Sequence, residues 1–387
     1  MNGDSMSAIE ERDNKVAAYL EKLYALAKDK SIKIDESAYH DEMDGLFKTK
    51  AWGFREILLV VVVGMYLDHN FHASTGLYDC NPRAIYEGPI KKFLIDKELP
   101  HRKSGPLNVA KATVGLDETW AAQRRPSAAA ESVVDIVNYL EKSSEDEAKQ
   151  KKRIDSVAIS LLRRLISYSS HLENLSVEIE PDADPDFLYM VCRKLVDEAP
   201  DSGNTPQKIA AFLLKSYHKT LHTKVNVTGG EDRASVTSTT SHKPGDVNEE
   251  SSEENEIYKV YEITIKPFDL ARIQDSYDAV TIYNKENGTY ITEIIVICRP
   301  QDCPKNMVLS GLEEYMGHYS YQNVMYYYWN IYEWMASTLQ RMTDEGRQMF
   351  YSLLNNYIND INTAEIVKQL WHDIHTKHLD KEGESLA

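Results

Sequence analysis

Tyr258-Lys259-Val260-Tyr261-Glu262-Ile263-Thr264-Ile265-Lys266 alternates polar and apolar residues more regularly than any other part of the chain. Successive side chains of a strand point to opposite faces of a sheet. The pattern therefore predicts a half-buried strand. Ile263 and Ile265 face a core, and Glu262, Thr264 and Lys266 share the other face.

Reading outward from this strand gives an ordered set of elements. On the C-terminal side, Pro267 ends the strand and Asp269 to Tyr283 has helical spacing, with Asp269 suited to cap it. Asn287-Gly288 marks a turn, and Tyr290 to Cys298 reads as a buried strand. On the N-terminal side, Pro244-Gly245 forms a turn that sets Asp246 at the start of a strand. Before it, Lys224 to Thr228 alternates as another strand, and Gln207 to Leu221 reads as a helix opened near Pro206. The predicted order is helix, strand, strand, strand, helix, strand.

The rest of the chain sets the context. Its 387 residues, 42% of them hydrophobic, suffice for two or three domains. The expected divisions are a mostly helical region over 1–150, a core over 151–304, and a helical, aromatic-rich region over 305–387. The fold class is therefore α/β, flanked by helical regions. The longest apolar run, Ile57 to Leu67, is shorter than the roughly 20 residues a membrane helix needs. It reads as a buried helix or strand. Met1 to Asp13 is polar and acidic rather than signal-like, so the expected location is cytoplasmic, with no membrane partner. The four cysteines form no Cys-x-x-Cys pair, which argues against a zinc ribbon and for reduced thiols. No Gly-rich phosphate loop is present. His218 with His222, and His372, His375 and His378, lack a neighbouring metal-binding acid and read as ordinary core or surface histidines.

The chemistry concentrates on two carboxylates. Glu262 follows Asp246 by sixteen positions, and neighbouring strands bring such a pair together. Converging carboxylates make a hard oxygen site suited to Mg²⁺. Such an ion polarises a phosphodiester and lowers the pKa of its bound water. Lys266, on the face of Glu262, is the candidate to assist the attacking water. Thr264 shares that face, Glu231 is a candidate third carboxylate, and Lys243 is a candidate phosphate contact beside His242.

Pro244-Gly245-Asp246, the gap, and Glu262-Ile263-Thr264-Ile265-Lys266 resemble the motif of the PD-(D/E)xK nuclease superfamily, which includes many bacterial type II restriction endonucleases. The resemblance covers about a hundred residues, Gln207 to Cys298, and implies an αβββαβ core. It further implies that Asp246 and Glu262 hold the metal. The family pattern puts the lysine two residues after the second acid. That position is Thr264 here, and Lys266 lies one pleat further on.

The implied activity is Mg²⁺-dependent cleavage of double-stranded DNA at a specific sequence, as in restriction–modification defence against phage. A separate cognate methyltransferase is then expected. Cutting both strands needs two active sites, so a homodimer is expected.

The net charge of −17 argues against indiscriminate DNA binding. Recognition would have to rest on a local basic cluster. His101, Arg102, Lys103, Lys111, Arg124 and Arg125 are the candidates. Two alternatives stand beside the nuclease. One is a non-catalytic DNA-binding module, favoured by Thr264. The other is a helical interaction or scaffold protein, favoured by the acidic balance and the aromatic C-terminal region.

Overall fold

The computed structural model describes residues 7–102, 108–142, 146–178, 180–230, 243–253 and 256–385, with only the backbone for 378–385. The chain forms two compact units, Met1–Asn174 and Leu175–Ala387.

The described part of the first unit is helical. Its main helices are α1 (Ala8–Lys28), α2 (Gly53–Leu67), α3 (Ser127–Leu140) and α4 (Glu147–Asn174). The apolar run Ile57 to Leu67 lies in α2, where Ile57 through Val63 are fully buried. A helix that is apolar all round must be enclosed, and α3 and α4 pack against it. The β-branched valines are helical here because burial on every side outweighs their strand preference. The polar start of α2 is bonded to neighbouring groups. Arg55 donates to the carbonyls of Leu46 at 2.9 Å and Thr49 at 2.8 Å. Glu56 accepts from the Tyr86 hydroxyl at 2.5 Å and the Arg102 amide at 2.6 Å. Residues 154–172, expected to open the core region, belong to α4 and so to this unit.

The second unit is a mixed α/β fold around one seven-stranded sheet, ordered β1-β2-β3-β4-β7-β6-β5. The strands are β1 (Val225–Thr228), β2 (Val247–Ser251), β3 (Ile257–Thr264), β4 (Glu293–Cys298), β5 (Val308–Leu309), β6 (Tyr315–Tyr321) and β7 (Val324–Asn330). β1, β2 and β3 are antiparallel neighbours, β3, β4 and β7 run parallel, and β7, β6 and β5 return antiparallel.

The helices are α5 (Pro185–Glu198), α6 (Asn204–Thr220), α7 (Leu270–Asn287), α8 (Ile331–Arg341), α9 (Asp344–Asn359) and α10 (Glu365–Ser385). From α6 to β4 the described elements run α6-β1-β2-β3-α7-β4. α7 makes the crossover that parallel β3 and β4 require.

Alternation along the strands builds two cores. Val247, Tyr261, Ile263 and Ile297 pack with residues of α5, α6, α8, α9 and α10. Val260, Ile294, Val296, Cys298, Tyr326 and Tyr328 pack with Ile273 and Val280 of α7 on the other face.

The region 305–387 departs from the expected all-helical reading. Its tyrosine cluster forms the β6–β7 hairpin, turned at Gln322 with φ 54°. The physical reason is a period of two: Tyr326 and Tyr328 are fully buried on the α7 face, and aromatic residues fit a pleated, half-buried surface. The two strands extend the sheet that contains β3 and β4.

Candidate functional site

Asp246 immediately precedes β2, and the next residue, Val247, pairs with Tyr261 of β3. Continuing that register sets Asp246 beside Glu262. Two glycines permit the approach. A side chain at Gly229, where φ is +94°, would meet the Asp246 carbonyl at 2.2 Å. One at Gly245 would meet Val260 Cγ1 at 2.5 Å. Buried Gln207 of α6 pins this corner, its amide donating to the Asp246 carbonyl at 3.2 Å and that of Gly229 at 3.4 Å.

The two carboxyl groups act on each other's charge. Asp246 Oδ2 accepts the Ile263 amide at 2.9 Å, and Glu262 Oε1 accepts the Ser276 hydroxyl of α7 at 3.0 Å. Burial pushes both carboxyls above their ordinary values, and the Asp246 charge raises Glu262 further. The Ile263 amide and the Arg272 guanidinium lower Asp246, while Ser276 and Arg272 lower Glu262. The net direction remains upward for both. Like charges in one site disfavour double ionisation, which is the direction both carboxyls take.

A cation that acts on both carboxyls, Arg272, is not among the candidates the sequence offers. β3 closes at Thr264, so alternation does not carry to Lys266, whose side chain is exposed beyond the strand end. The Thr264 hydroxyl accepts the Lys266 amide and donates to its carbonyl, both at 3.1 Å. The same hydroxyl receives the Arg272 guanidinium. Arg272 lies in the first turn of α7, its amide capped by Asp269 at 3.1 Å and its guanidinium 5.2 Å from the Phe268 ring. A signal was available in the sequence. Asp269 caps the helix, and a crossover helix starting just after β3 returns its first-turn side chains toward that strand's end.

A second buried acid on the other face makes a useful contrast. Glu249 accepts from Tyr261 at 2.7 Å, meets His218 at 3.1 Å and Lys259 at 3.3 Å. These partners outweigh its burial and hold it below the usual carboxylate range. Glu249 is held in its charged form by these partners, whereas burial and mutual repulsion outweigh the effect of Arg272 on Asp246 and Glu262.

The remaining predicted residues are dispersed. Among the described residues, no group of three or more His, Cys, Asp or Glu is arranged to hold a metal. Lys243 is half-buried just before Pro244. Glu231 and His242 lie outside the described residues, as does Lys103. In the first unit Arg102 stacks 4.7 Å from the Trp52 ring, and His101 meets the Leu99 carbonyl at 3.0 Å. Arg124 ties a turn together through the Lys111 carbonyl at 3.1 Å and the Thr113 hydroxyl at 2.8 Å. Lys111 and Arg125 are exposed. His375 is consumed by packing, bonded to the Tyr351 hydroxyl at 2.9 Å and the Trp371 carbonyl at 2.8 Å.

Among the described residues no helix is long and apolar enough to cross a membrane. No protein-family model and no curated protein sequence matches the chain.

Proposed function

We propose that the second unit is a divalent-cation-dependent endonuclease acting on double-stranded DNA, of the PD-(D/E)xK kind found in type II restriction enzymes. The carrying observation is the crowded pair Asp246 and Glu262, raised by burial and by each other at the edge of β2 and β3. Perturbed acids of this kind mark functional sites more often than neutralised ones such as Glu249. The order of the described elements, α6-β1-β2-β3-α7-β4, supports reading an αβββαβ core here. The residues fit Mg²⁺, because two adjacent carboxyls form a hard oxygen site.

Asp246 and Glu262 would hold the ion. When bound, Mg²⁺ supplies charge that polarises the scissile phosphate and a bound water of lowered pKa. The protein's own groups do the positioning. The Ile263 amide and the Ser276 hydroxyl fix the two carboxylates. Gln207 fixes the backbone under Asp246. Arg272, held by the Thr264 hydroxyl at the place where the motif has its lysine, stabilises charge developing on the phosphate. Lys266, exposed beyond the strand end, contacts the DNA backbone rather than the carboxylate pair. In the first unit, exposed Lys111 and Arg125 are the candidates for phosphate contacts of its own. A homodimer would place two such sites on the two strands, and a separate methyltransferase would protect the host's own DNA.

Thr264 favours a second reading, a DNA-binding module without catalysis. Titration with Mn²⁺ followed by calorimetry separates the two. The nuclease reading expects saturable binding to the native protein and affinity weakened at least about tenfold in Asp246→Ala. A native protein that takes up no Mn²⁺ supports the non-catalytic module.

A further inference from the structure

We propose that Cys298 and Cys303 are an oxidation site, closing to a reversible disulfide under peroxide and thereby controlling the segment that carries Arg272. Both thiols are free, with their sulfurs 3.6 Å apart. Cys298 is the last residue of β4 and pairs in register with Thr264, the residue that holds Arg272. Cys303 follows the turn Pro300–Asp302 and is half-buried, so an oxidant reaches it first.

The turn between the two cysteines is bound to the connection between β3 and α7. Arg299 donates to the Ile265 carbonyl at 2.6 Å, and the Phe268 amide donates to the Asp302 carbonyl at 2.8 Å. Arg299 and Asp302 are themselves paired at 2.7 Å, which makes the turn stiff. Phe268 in turn lies against the Arg272 guanidinium. A disulfide needs its sulfurs about 2 Å apart. Strain from closing the present gap reaches residues 265–268, upstream of Arg272, through these bonds.

The reactivities are ordered to match. The two thiols share a hydrogen bond that either can donate; the interaction holds the Cys303 thiol below its ordinary value and raises Cys298. Cys303 is then the attacking thiolate. Its sulfur bonds to one peroxide oxygen, the oxygen–oxygen bond breaks, and hydroxide leaves, giving a sulfenic acid. The Cys298 sulfur attacks the sulfenic sulfur. The sulfur–sulfur bond forms, the sulfur–oxygen bond breaks, and the departing hydroxide takes the Cys298 proton as water. The two thiols lose two electrons and two protons, and one hydrogen peroxide becomes two waters. Cys80 and Cys192 have thiols pushed up by burial, which makes them poor competitors.

The test treats the full chain with hydrogen peroxide and follows linked peptides and amide exchange over residues 265–272. Expected are a Cys298–Cys303 linkage formed before Cys80 or Cys192 react, a severalfold change in exchange over that segment, and reversal of both by dithiothreitol. Cys303→Ser should show neither effect while keeping the native exchange pattern. Failure to form the linkage, or a linkage that leaves exchange unchanged, overturns the proposal. The effect on DNA cutting rests on the nuclease reading. A protein that never cuts DNA would sink that reading, while the linkage and exchange measurements would still decide this one.

Discussion

Glu262→Gln is expected to make the protein more stable and at the same time inactive. Glutamine keeps the shape of Glu262 and offers an amide N–H to Asp246 without a second acid. The native pair crowds two carboxyls into one buried place with Arg272 as counter-charge, which is why both are raised. Removing one acid relieves that repulsion and leaves Asp246 neutralised by the arginine. In a chelator, with no divalent ion present, the variant should gain about 1–2 kcal/mol, within the range common for relieving a functional-site conflict. For a unit of this size that is a rise of about 2–8 °C in the midpoint of thermal unfolding. Cleavage of DNA in Mg²⁺ should fall by at least about 10³-fold, since half of the metal's carboxylate ligands are gone. Loss of stability on substitution would contradict the account, because it would mean that the Glu262 carboxylate is fully satisfied where it stands.

Lys368→Met is expected to stabilise the protein by about 2 kcal/mol at pH 7, after allowance for screening. Lys368 lies on the inner stripe of α10 with Val367, Trp371 and Ile374, where helical spacing calls for an apolar residue. It is 1% exposed, and among the described residues its ammonium has no hydrogen-bond partner. Burial pushes its pKa down to about 8, with the charge of Asp360 opposing. The folded-state value thus lies below the unfolded one. Below about pH 8 the folded protein must carry a buried charge, and its stability is lowest there. Stability recovers as pH rises from about 8 toward the ordinary lysine value, where both states are neutral. Thermal unfolding of the two proteins across this range should show the advantage of methionine at pH 7 and its disappearance by about pH 10.5. An advantage independent of pH would place the ammonium in water.

Much of the sheet was legible because its strands carry their own period. Tyr258 to Thr264 alternates cleanly, and β3 ends within two residues of the expected boundary. Asp269 was read as a cap and does cap α7. Asp246 at the head of β2 followed from the Pro244-Gly245 turn. What failed to show depends on tertiary contact. The tyrosines of β6 and β7 were read as helical although they too alternate, because a dense aromatic run masks its own period. Thr264 ends β3 by turning its hydroxyl back on Lys266, a side-chain bond that spacing does not reveal. Arg272 was missed for the same reason. Its charge acts on the two carboxylates from a helix that crosses over from β3, and its distance in sequence from Asp246 hides that effect. The join between the two units falls after α4, a continuous amphipathic helix with no break at residue 150.

The most direct test of the nuclease reading is digestion of unmethylated phage DNA in Mg²⁺ by the native protein, Asp246→Ala and Arg272→Ala. The account predicts discrete fragments from the native protein, none from Asp246→Ala, and cutting slowed about 10²-fold or more in Arg272→Ala. Absence of cutting by the native protein in Mg²⁺ and in Mn²⁺, on modified and unmodified DNA alike, would contradict it.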